Sequence, residues 1–181
     1  MSKSKLYISS LIFAILIIVS NYLMQFYIND WLAYGAIVYP FTFLLTDVLS
    51  EKYNKKDVFR VVWIGSIVAI VPTIMIADYR IAIASIATFF IVQQFDVSIF
   101  HKLKKMYPKL WWVRNNVSTI ISQFFDTVMF YTLAFAFIMP YEKIVMLIIG
   151  DYTIKVVMAL LDTPAFYLLA VKMKPKPKPI R

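Results

Sequence analysis

Long apolar stretches separated by short polar segments make up most of the chain. A helix that crosses the hydrocarbon layer of a membrane needs about 20 consecutive apolar residues. Because backbone N–H and C=O groups must find their partners within the segment in lipid, we predict that each stretch is a helix. The alternation of apolar and polar positions that marks a transmembrane barrel strand is not seen in the sequence. The predicted helices cover 6–27, 31–49, 58–77, 81–100, 115–139 and 144–171.

The composition supports the same class of protein. Of 181 residues, 61% are hydrophobic and 16% are charged, whereas ordinary soluble domains have about 45–50% and about 25%. A soluble chain of this size has too much surface to hide that apolar content. No cysteine and only 3 glycines are present, which excludes a disulfide scaffold, a cysteine zinc site and a glycine-rich phosphate loop. We therefore predict an all-α, polytopic membrane protein with one domain over 1–171 and a basic tail over 172–181.

The basic residues lie almost entirely on one side of the predicted membrane. Sixteen of the 19 lysines and arginines precede the first stretch or follow the second, fourth or sixth. Cytoplasmic segments carry such an excess, so both termini are predicted to be cytoplasmic, as an even number of spans requires. Topology thus accounts for the net charge of +9, and a nucleic-acid partner is not expected. The tail is expected to be an extended segment that contacts anionic membrane lipid.

The fifth stretch carries a polar stripe along one helical face. The stripe consists of Asn115, Thr119, Ser122 and Asp126, spaced i, i+4, i+7 and i+11, with Gln123 at its border. Asp126 lies about 18 Å along the helix from Arg114, which places it near the middle of the membrane. A charged side chain there costs about 2.5–3.5 kcal/mol on insertion. The stripe is either a set of hydrogen bonds that hold the bundle together or the wall of a cavity, and its acid and amide groups favour the cavity.

The sixth stretch contains three charged residues within an otherwise apolar sequence. Asp151 and Lys155 are spaced i, i+4, and Asp162 shares a helical face with Lys155. Such a group can be a mutual neutralisation of buried charges, or it can be a ligand or proton site. Pro164 is predicted to interrupt this helix and to free backbone carbonyl groups.

Polar residues also lie in the second and fourth stretches. Asp47 and Glu51 are i, i+4 carboxylates near the inner interface, where they either pair with the basic loop that follows or take part in function. Gln94 and Asp96 lie towards the inner end of the fourth stretch, and Asp96 is expected to be partly hydrated. We expect His101 to be a loop residue rather than a ligand.

Four segments stand out from the apolar background: YPFTFLLTDVLSEKYNKKD, QQFDVSIFHKLKK, WVRNNVSTIISQFFDTVMF and KVVMALLDTPAFYL. They resemble the motifs of the bacterial queuosine precursor transporter family, which was earlier labelled as vitamin uptake transporters, and the resemblance covers about 39–167. It implies a six-helix, multi-pass importer of the inner membrane that carries 7-cyano-7-deazaguanine or its aminomethyl relative for tRNA modification. It also implies a fold like the substrate-binding subunits of energy-coupling-factor vitamin importers, working here without the ATPase module.

The resemblance further implies a set of substrate-binding residues. The positions that match the polar motifs of the family are Asp47, Glu51, Gln94, Asp96, Arg114, Asn115, Ser118, Gln123, Asp126, Lys155 and Asp162. A deazaguanine presents an N–H and an amine on one edge, beside a carbonyl. One carboxylate can accept both N–H groups, so Asp126 and Asp162 are predicted to bind that edge. The amides of Gln94, Gln123 and Asn115 can donate to the carbonyl. A buried carboxylate can instead carry a coupling proton, and the sequence leaves these roles open.

Two other classes of function compete with a stand-alone transporter. A substrate-binding subunit of a multi-component vitamin or nucleobase importer would need a face that docks its partner, and the sequence shows no clear one. An intramembrane enzyme is not expected, because the sequence has neither a GxSxG nor an HExxH motif. No cofactor or metal is expected either. The pattern does not specify the oligomeric state.

Overall fold

The computed structural model describes residues 1–29 and 32–172, and most of these residues are helical. The long helices are α1 (Lys3–Leu23), α4 (Lys55–Ile76), α5 (Tyr79–Met106), α6 (Trp111–Phe135) and α7 (Tyr141–Leu161). The shorter elements are α2 (Tyr34–Val38), α3 (Pro40–Lys52), α8 (Thr163–Phe166) and a π-helical turn (Tyr167–Lys172). Between α1 and α2, β1 (Tyr27–Asn29) pairs antiparallel with β2 (Leu32–Ala33). Apart from its first residue, the predicted basic tail lies outside the described residues.

Several of these helices have the length and apolarity of membrane spans. Within the described residues, four segments meet both conditions, namely α1, α4, α5 and the segment that runs from α7 to the π-helical turn. Helix α6 is long enough at 25 residues, but its polar residues lower its hydropathy. Large apolar side chains such as Met75, Ile83 and Met146 are exposed on the outer faces of the helices, as contact with lipid requires. The architecture is that of a polytopic helical membrane protein, while the number of spans and their orientation stay predictions.

The stretch predicted as one helix over 31–49 differs in the structure. Its first described residues form β2, and the helix that follows is divided at Pro40 into α2 and α3. Tyr39 keeps helical torsion angles (φ −54°, ψ −43°), so the chain direction is retained across the division. The interruption arises because proline has no N–H with which to continue the i to i−4 hydrogen bonds. Trp31, the predicted start of this helix, lies outside the described residues.

The last predicted stretch is divided in the same way. Helix α7 ends at Leu161, and Asp162 after it has helical torsion angles (φ −73°, ψ −15°). The short helix α8 begins at Thr163, with Pro164 in its first turn. The predicted interruption at Pro164 is confirmed. Helix α5 also runs further than predicted, to Met106. His101 therefore lies on this helix, and its prediction as a loop residue is wrong.

Tight packing of α1 against α4 forms much of the apolar core. Phe13 and Ile17 on α1 are buried together with Val58, Val61 and Val62 on α4. Gly65 lets the two helices approach closely, since a Cβ atom built there would lie 2.8 Å from the carbonyl oxygen of Ser10 and 2.7 Å from the Phe13 ring. Small residues at such crossings allow close van der Waals packing in membranes, where the hydrophobic effect does not drive helices together.

The substitution Gly65→Ala is expected to destabilise the protein by about 1–3 kcal/mol, because the backbone of α1 must move to accommodate the added methyl group. Thermal unfolding in detergent measures the effect as a lower Tm. Ile67→Ala, on an exposed face of the same helix, serves as the control and should leave Tm nearly unchanged. An equal Tm for Gly65→Ala and the parent protein would contradict the packing argument.

Candidate functional site

A buried lysine with two carboxylates lies at the centre of the helical bundle. Lys155 Nζ is 2.7 Å from Asp151 Oδ2 and 3.1 Å from Asp126 Oδ2. The ammonium also donates to Thr127 Oγ1 at 3.2 Å. The hydroxyl of Tyr39 donates to the other oxygen of Asp126, and the Tyr39 ring lies over the ammonium, with 4.6 Å between Nζ and the ring centroid. These five residues are called the lysine cluster.

Three separate elements bring the lysine cluster together. Asp126 and Thr127 come from α6, while Asp151 and Lys155 occupy i, i+4 positions on α7. Tyr39 comes from the division between α2 and α3, and its ring is held edge-on by Phe89 of α5 at a centroid distance of 5.1 Å. A charge buried in the membrane must be paired, and here one ammonium and the hydroxyls of Tyr39 and Thr127 donate to two carboxylates.

The lysine cluster forms one wall of a polar cavity of about 20 Å³. Its other residues are Ser20, Asn21, Met24, Ala36, Ser85, Thr88 and Phe130. Asn21 is fixed by two hydrogen bonds, donating to Thr73 Oγ1 at 3.2 Å and accepting from Ser85 Oγ at 2.7 Å. A volume of this size admits about one water molecule. Binding of a larger ligand in this first cavity therefore requires the side chains around it to separate.

Two further buried carboxyl groups face each other between α3 and α5. Asp47 Oδ2 accepts a hydrogen bond from Thr119 Oγ1 at 2.7 Å. Asp96 lies against Asp47 and beside Ser122. Within the described chain, no donor is in hydrogen-bonding geometry with either oxygen of Asp96 or with Asp47 Oδ1. Asp47 and Asp96 are called the carboxyl pair. Asp96 is fully buried, so the prediction that it is partly hydrated is wrong.

A second polar cavity adjoins the first along α6 and α7. Its volume is about 10 Å³, and it is lined by Pro40, Leu44, Asp47, Asn115, Thr119, Ala159 and Asp162. The side-chain oxygen of Asn115 is buried and has no hydrogen-bond partner among the described residues. Lys155 of the first cavity and Ala159 of the second are four residues apart, about 6 Å along the helix. The linings of the two cavities are thus about one turn apart on α7, whereas on α6 Thr119 and Asp126 are about two turns apart.

Glu51 and Arg114, predicted as substrate contacts, belong to a separate ion pair. Arg114 Nε lies 2.9 Å from Glu51 Oε2, and its Nη1 donates to the carbonyl of Pro108 at 2.9 Å. Lys104 donates to the carbonyls of Ser50 and Glu51 at the end of α3, at 2.8 and 2.6 Å. These contacts tie α3 to α5 and to the connection between α5 and α6. The Lys104 contacts satisfy the last carbonyl groups of α3, as basic side chains at a helix C-terminus do. The substrate contacts of Glu51 and Arg114 stay a prediction.

Three other predicted residues, Ser118, Gln94 and Gln123, differ in whether their polar side-chain atoms have hydrogen-bond partners. Ser118 donates to the carbonyl of Arg114 on its own helix at 2.6 Å. Both amide atoms of Gln94 and of Gln123 are buried without a hydrogen-bond partner among the described residues. The neighbouring Gln93 instead donates to Thr42 and accepts from Thr46. Gln123 is fully buried on α6, one turn from Asp126, and an unpaired buried amide is costly unless a ligand or water binds it.

Only Asp126 and Lys155 of the first cavity's lining belong to the predicted set of substrate-binding residues. Tyr39 and Asp151 carry the hydrogen bond and the ion pair that complete the lysine cluster, and Asn21 lies on the opposite wall. A signal for Asn21 exists, since an amide within an apolar stretch is costly in lipid and has to find a partner. For Tyr39, only its position before Pro40 and near a predicted polar segment distinguishes it from the other tyrosines.

Comparison with known proteins identifies the family. A family model described as "Putative vitamin uptake transporter" matches residues 33–79 and 73–169. The "Probable queuosine precursor transporter" of Bacillus subtilis (strain 168) is 30% identical over 166 residues, covering 78% of this chain and 72% of that protein. The "Queuosine precursor transporter" of Escherichia coli (strain K12) is 26% identical over 192 residues, covering 91% and 85%. No solved structure matches. The chain therefore belongs to the queuosine precursor transporter family.

Proposed function

We propose that this protein imports a queuosine precursor, 7-cyano-7-deazaguanine or 7-aminomethyl-7-deazaguanine, across the inner membrane for use in tRNA modification. The observation that carries the proposal is the lysine cluster, a buried polar site within a polytopic helical protein. The names of the relatives support the substrate. They also favour a transporter over the substrate-binding subunit of a larger importer, and over an enzyme. A fold like that of energy-coupling-factor binding subunits is part of the proposal.

The donors and acceptors of the lysine cluster complement the edge of a deazaguanine. Asp126 holds two hydrogen bonds, one from the Tyr39 hydroxyl and one from Lys155. In the bound form, the ring N–H and the amine replace the hydroxyl and donate to Asp126, which gives a charge-assisted pair. Lys155 then donates to the neighbouring carbonyl. Asp151, 2.7 Å from Lys155 Nζ, keeps the ammonium neutralised throughout.

Aromatic and amide groups complete the proposed binding site. Tyr39 and Phe130 line the first cavity and offer rings that can cover the faces of a flat base. Release of the Tyr39 hydroxyl from Asp126 enlarges a cavity whose volume is only about 20 Å³. Asn115 and Asp162 line the second cavity, which we propose as the next position of the substrate on its way to the cytoplasm. The unpaired amide of Gln123, one turn from Asp126, is proposed to contact the substrate between these positions.

The orientation in the membrane is the second part of the proposal, with both termini in the cytoplasm. The chain has no cysteine, so single-cysteine variants report accessibility directly. A cysteine at Lys176 is expected to resist an impermeant thiol reagent added to intact cells and to react once the cells are opened. A cysteine at Glu142, in the first turn of α7, is expected to react from outside. The opposite pattern would contradict the orientation.

Import is tested most simply through the modified tRNA. Cells that cannot make queuosine precursors and that produce this protein are expected to contain queuosine in their tRNA when fed 7-cyano-7-deazaguanine. The same cells without the protein should contain none, which excludes other routes of entry. Unmodified tRNA in cells whose membranes contain the folded protein would contradict the proposal.

A further inference from the structure

The buried carboxylates of this protein divide into two kinds according to their partners. Asp126 and Asp151 contact Lys155, and Glu51 contacts Arg114. Asp47 and Asp96 are equally buried, with 1% and 0% of their surfaces exposed, but no cation contacts either within the described chain. An isolated buried carboxylate is unstable, and it binds a proton when it has no counter-ion.

We propose that the carboxyl pair, Asp47 with Asp96, binds the proton whose movement drives import of the substrate. This inference rests on the proposed function, and it separates the group that carries the proton from Asp126, which binds the base. The observations that support it are the burial of both carboxyl groups, the absence of a hydrogen-bond partner for three of their four oxygens among the described residues, and the polar cavity that Asp47 lines.

The proximity of the two carboxyl groups favours binding of one proton while the pair is shielded from water. Two carboxylates without a proton repel each other, whereas one O–H can donate to the carboxylate opposite it. Thr119 donates to Asp47 Oδ2 at 2.7 Å, which leaves Asp47 Oδ1 and both oxygens of Asp96 as the places where one proton can be shared between the two groups. No described cation is placed to hold both groups ionised. The pair therefore alternates between one proton and none as its access to water changes.

The neighbouring charged groups contact one another rather than the pair. Glu51 of α3 lies 2.9 Å from Arg114 Nε of α6 and 3.7 Å from Lys104 Nζ of α5. On α6 and α7, Asp126 and Asp151 are paired with Lys155. Asp162 lines the second cavity together with Asp47. A further negative charge there favours the protonated state of the pair.

The second cavity connects the pair to the proposed path of the substrate. Asp47 lines this cavity together with Asn115, whose side-chain oxygen is buried and unpaired among the described residues. In each cycle, one proton from the outer side forms an O–H bond on the pair while one substrate molecule binds. Both are released to the cytoplasm, where the O–H bond breaks and the proton passes to water. No oxidant, reductant or nucleotide is consumed.

Purified protein in liposomes tests the inference with labelled 7-cyano-7-deazaguanine. Exchange is measured with substrate on both sides at equal pH, and accumulation is measured with the outside one pH unit more acidic. At one proton per substrate, this gradient supports about tenfold accumulation. The parent protein should perform both reactions.

Asp96→Asn should still exchange substrate within about threefold of the parent rate but should not accumulate it, because the amide donates to Asp47 as the protonated acid does but cannot release a proton. Glu142→Gln, which changes an exposed carboxylate, should behave like the parent.

The outcomes distinguish failure of the inference from failure of the proposed function. Accumulation by Asp96→Asn and Asp47→Asn at the parent level would overturn the inference, as would loss of exchange in a folded Asp96→Asn protein. Should neither variant fold, a dye that reports the internal pH decides the question in the parent protein. Substrate added under an inward proton gradient should acidify the interior. Uptake of substrate without acidification of the interior would overturn the inference. Absence of exchange by the folded parent protein would contradict the proposed function itself.

Discussion

Replacing Lys155 by methionine is expected to lower the free energy of unfolding by about 3–5 kcal/mol and to abolish uptake of the substrate. The ammonium is the cation that contacts both Asp126 and Asp151, at 3.1 and 2.7 Å. Its removal leaves two buried carboxylates close together without a counter-ion, which costs more than the loss of the ion pairs alone. Thermal unfolding in detergent measures the loss of stability, and uptake per folded molecule measures the loss of transport.

Two further variants make the Lys155 prediction specific. Lys143→Met changes an exposed lysine on the same helix and should leave Tm and uptake unchanged. Adding Asp151→Asn to Lys155→Met removes one of the unpaired charges and should recover part of the stability, because the two sites are coupled. Uptake should not recover, since the proposed donor to the substrate carbonyl is still missing. Normal stability in Lys155→Met would contradict the interpretation of the lysine cluster.

The variant Asp126→Asn is expected to bind the substrate roughly 10- to 150-fold more weakly while remaining folded. An amide keeps one acceptor for the Tyr39 hydroxyl or for a substrate N–H, but it loses the charge. Hydrogen bonds to charged groups contribute about 1.5–3 kcal/mol, which corresponds to that loss of affinity. The variant should still insert into the membrane, because removal of a buried charge lowers the free-energy cost of inserting the helix. Equilibrium binding to purified protein gives the affinity, and melting reports the fold.

A purely structural role for Asp126 gives the opposite result. In that case uptake per folded molecule would be preserved and only the thermal stability would change. Glu142→Gln is the matched control, since it removes a carboxylate charge that is exposed at the start of α7. An affinity of Asp126→Asn equal to that of the control would remove Asp126 from the binding site.

Periodicity predicted much of the architecture because each helix buries one face. The spacing of Asn115, Thr119 and Asp126 predicts a shared face, and all three are buried on α6. The i, i+4 spacing of Asp151 and Lys155 likewise predicts the ion pair that the structure contains. Such relations lie within one helix, where the turn of 3.6 residues alone determines which side chains are neighbours.

Contacts between helices could not be predicted from periodicity. The pairing of Lys155 with Asp126, and of Arg114 with Glu51, depends on which helices pack together and on how far each helix is shifted along its axis relative to its neighbour. A helical wheel contains neither quantity. The division of the second stretch was missed because its apolar content is continuous through Pro40, although the missing N–H of that proline is a local property of the sequence. Tyr39, which contacts Asp126, lies at this division between α2 and α3.

Uptake of labelled 7-cyano-7-deazaguanine into liposomes that contain only the purified protein tests the central claim most directly. The account predicts saturable uptake that unlabelled precursor inhibits. It also predicts that Asp126→Asn needs roughly 10- to 150-fold more substrate to reach the half-maximal rate. Uptake by the folded protein no faster than entry into empty liposomes would contradict the account.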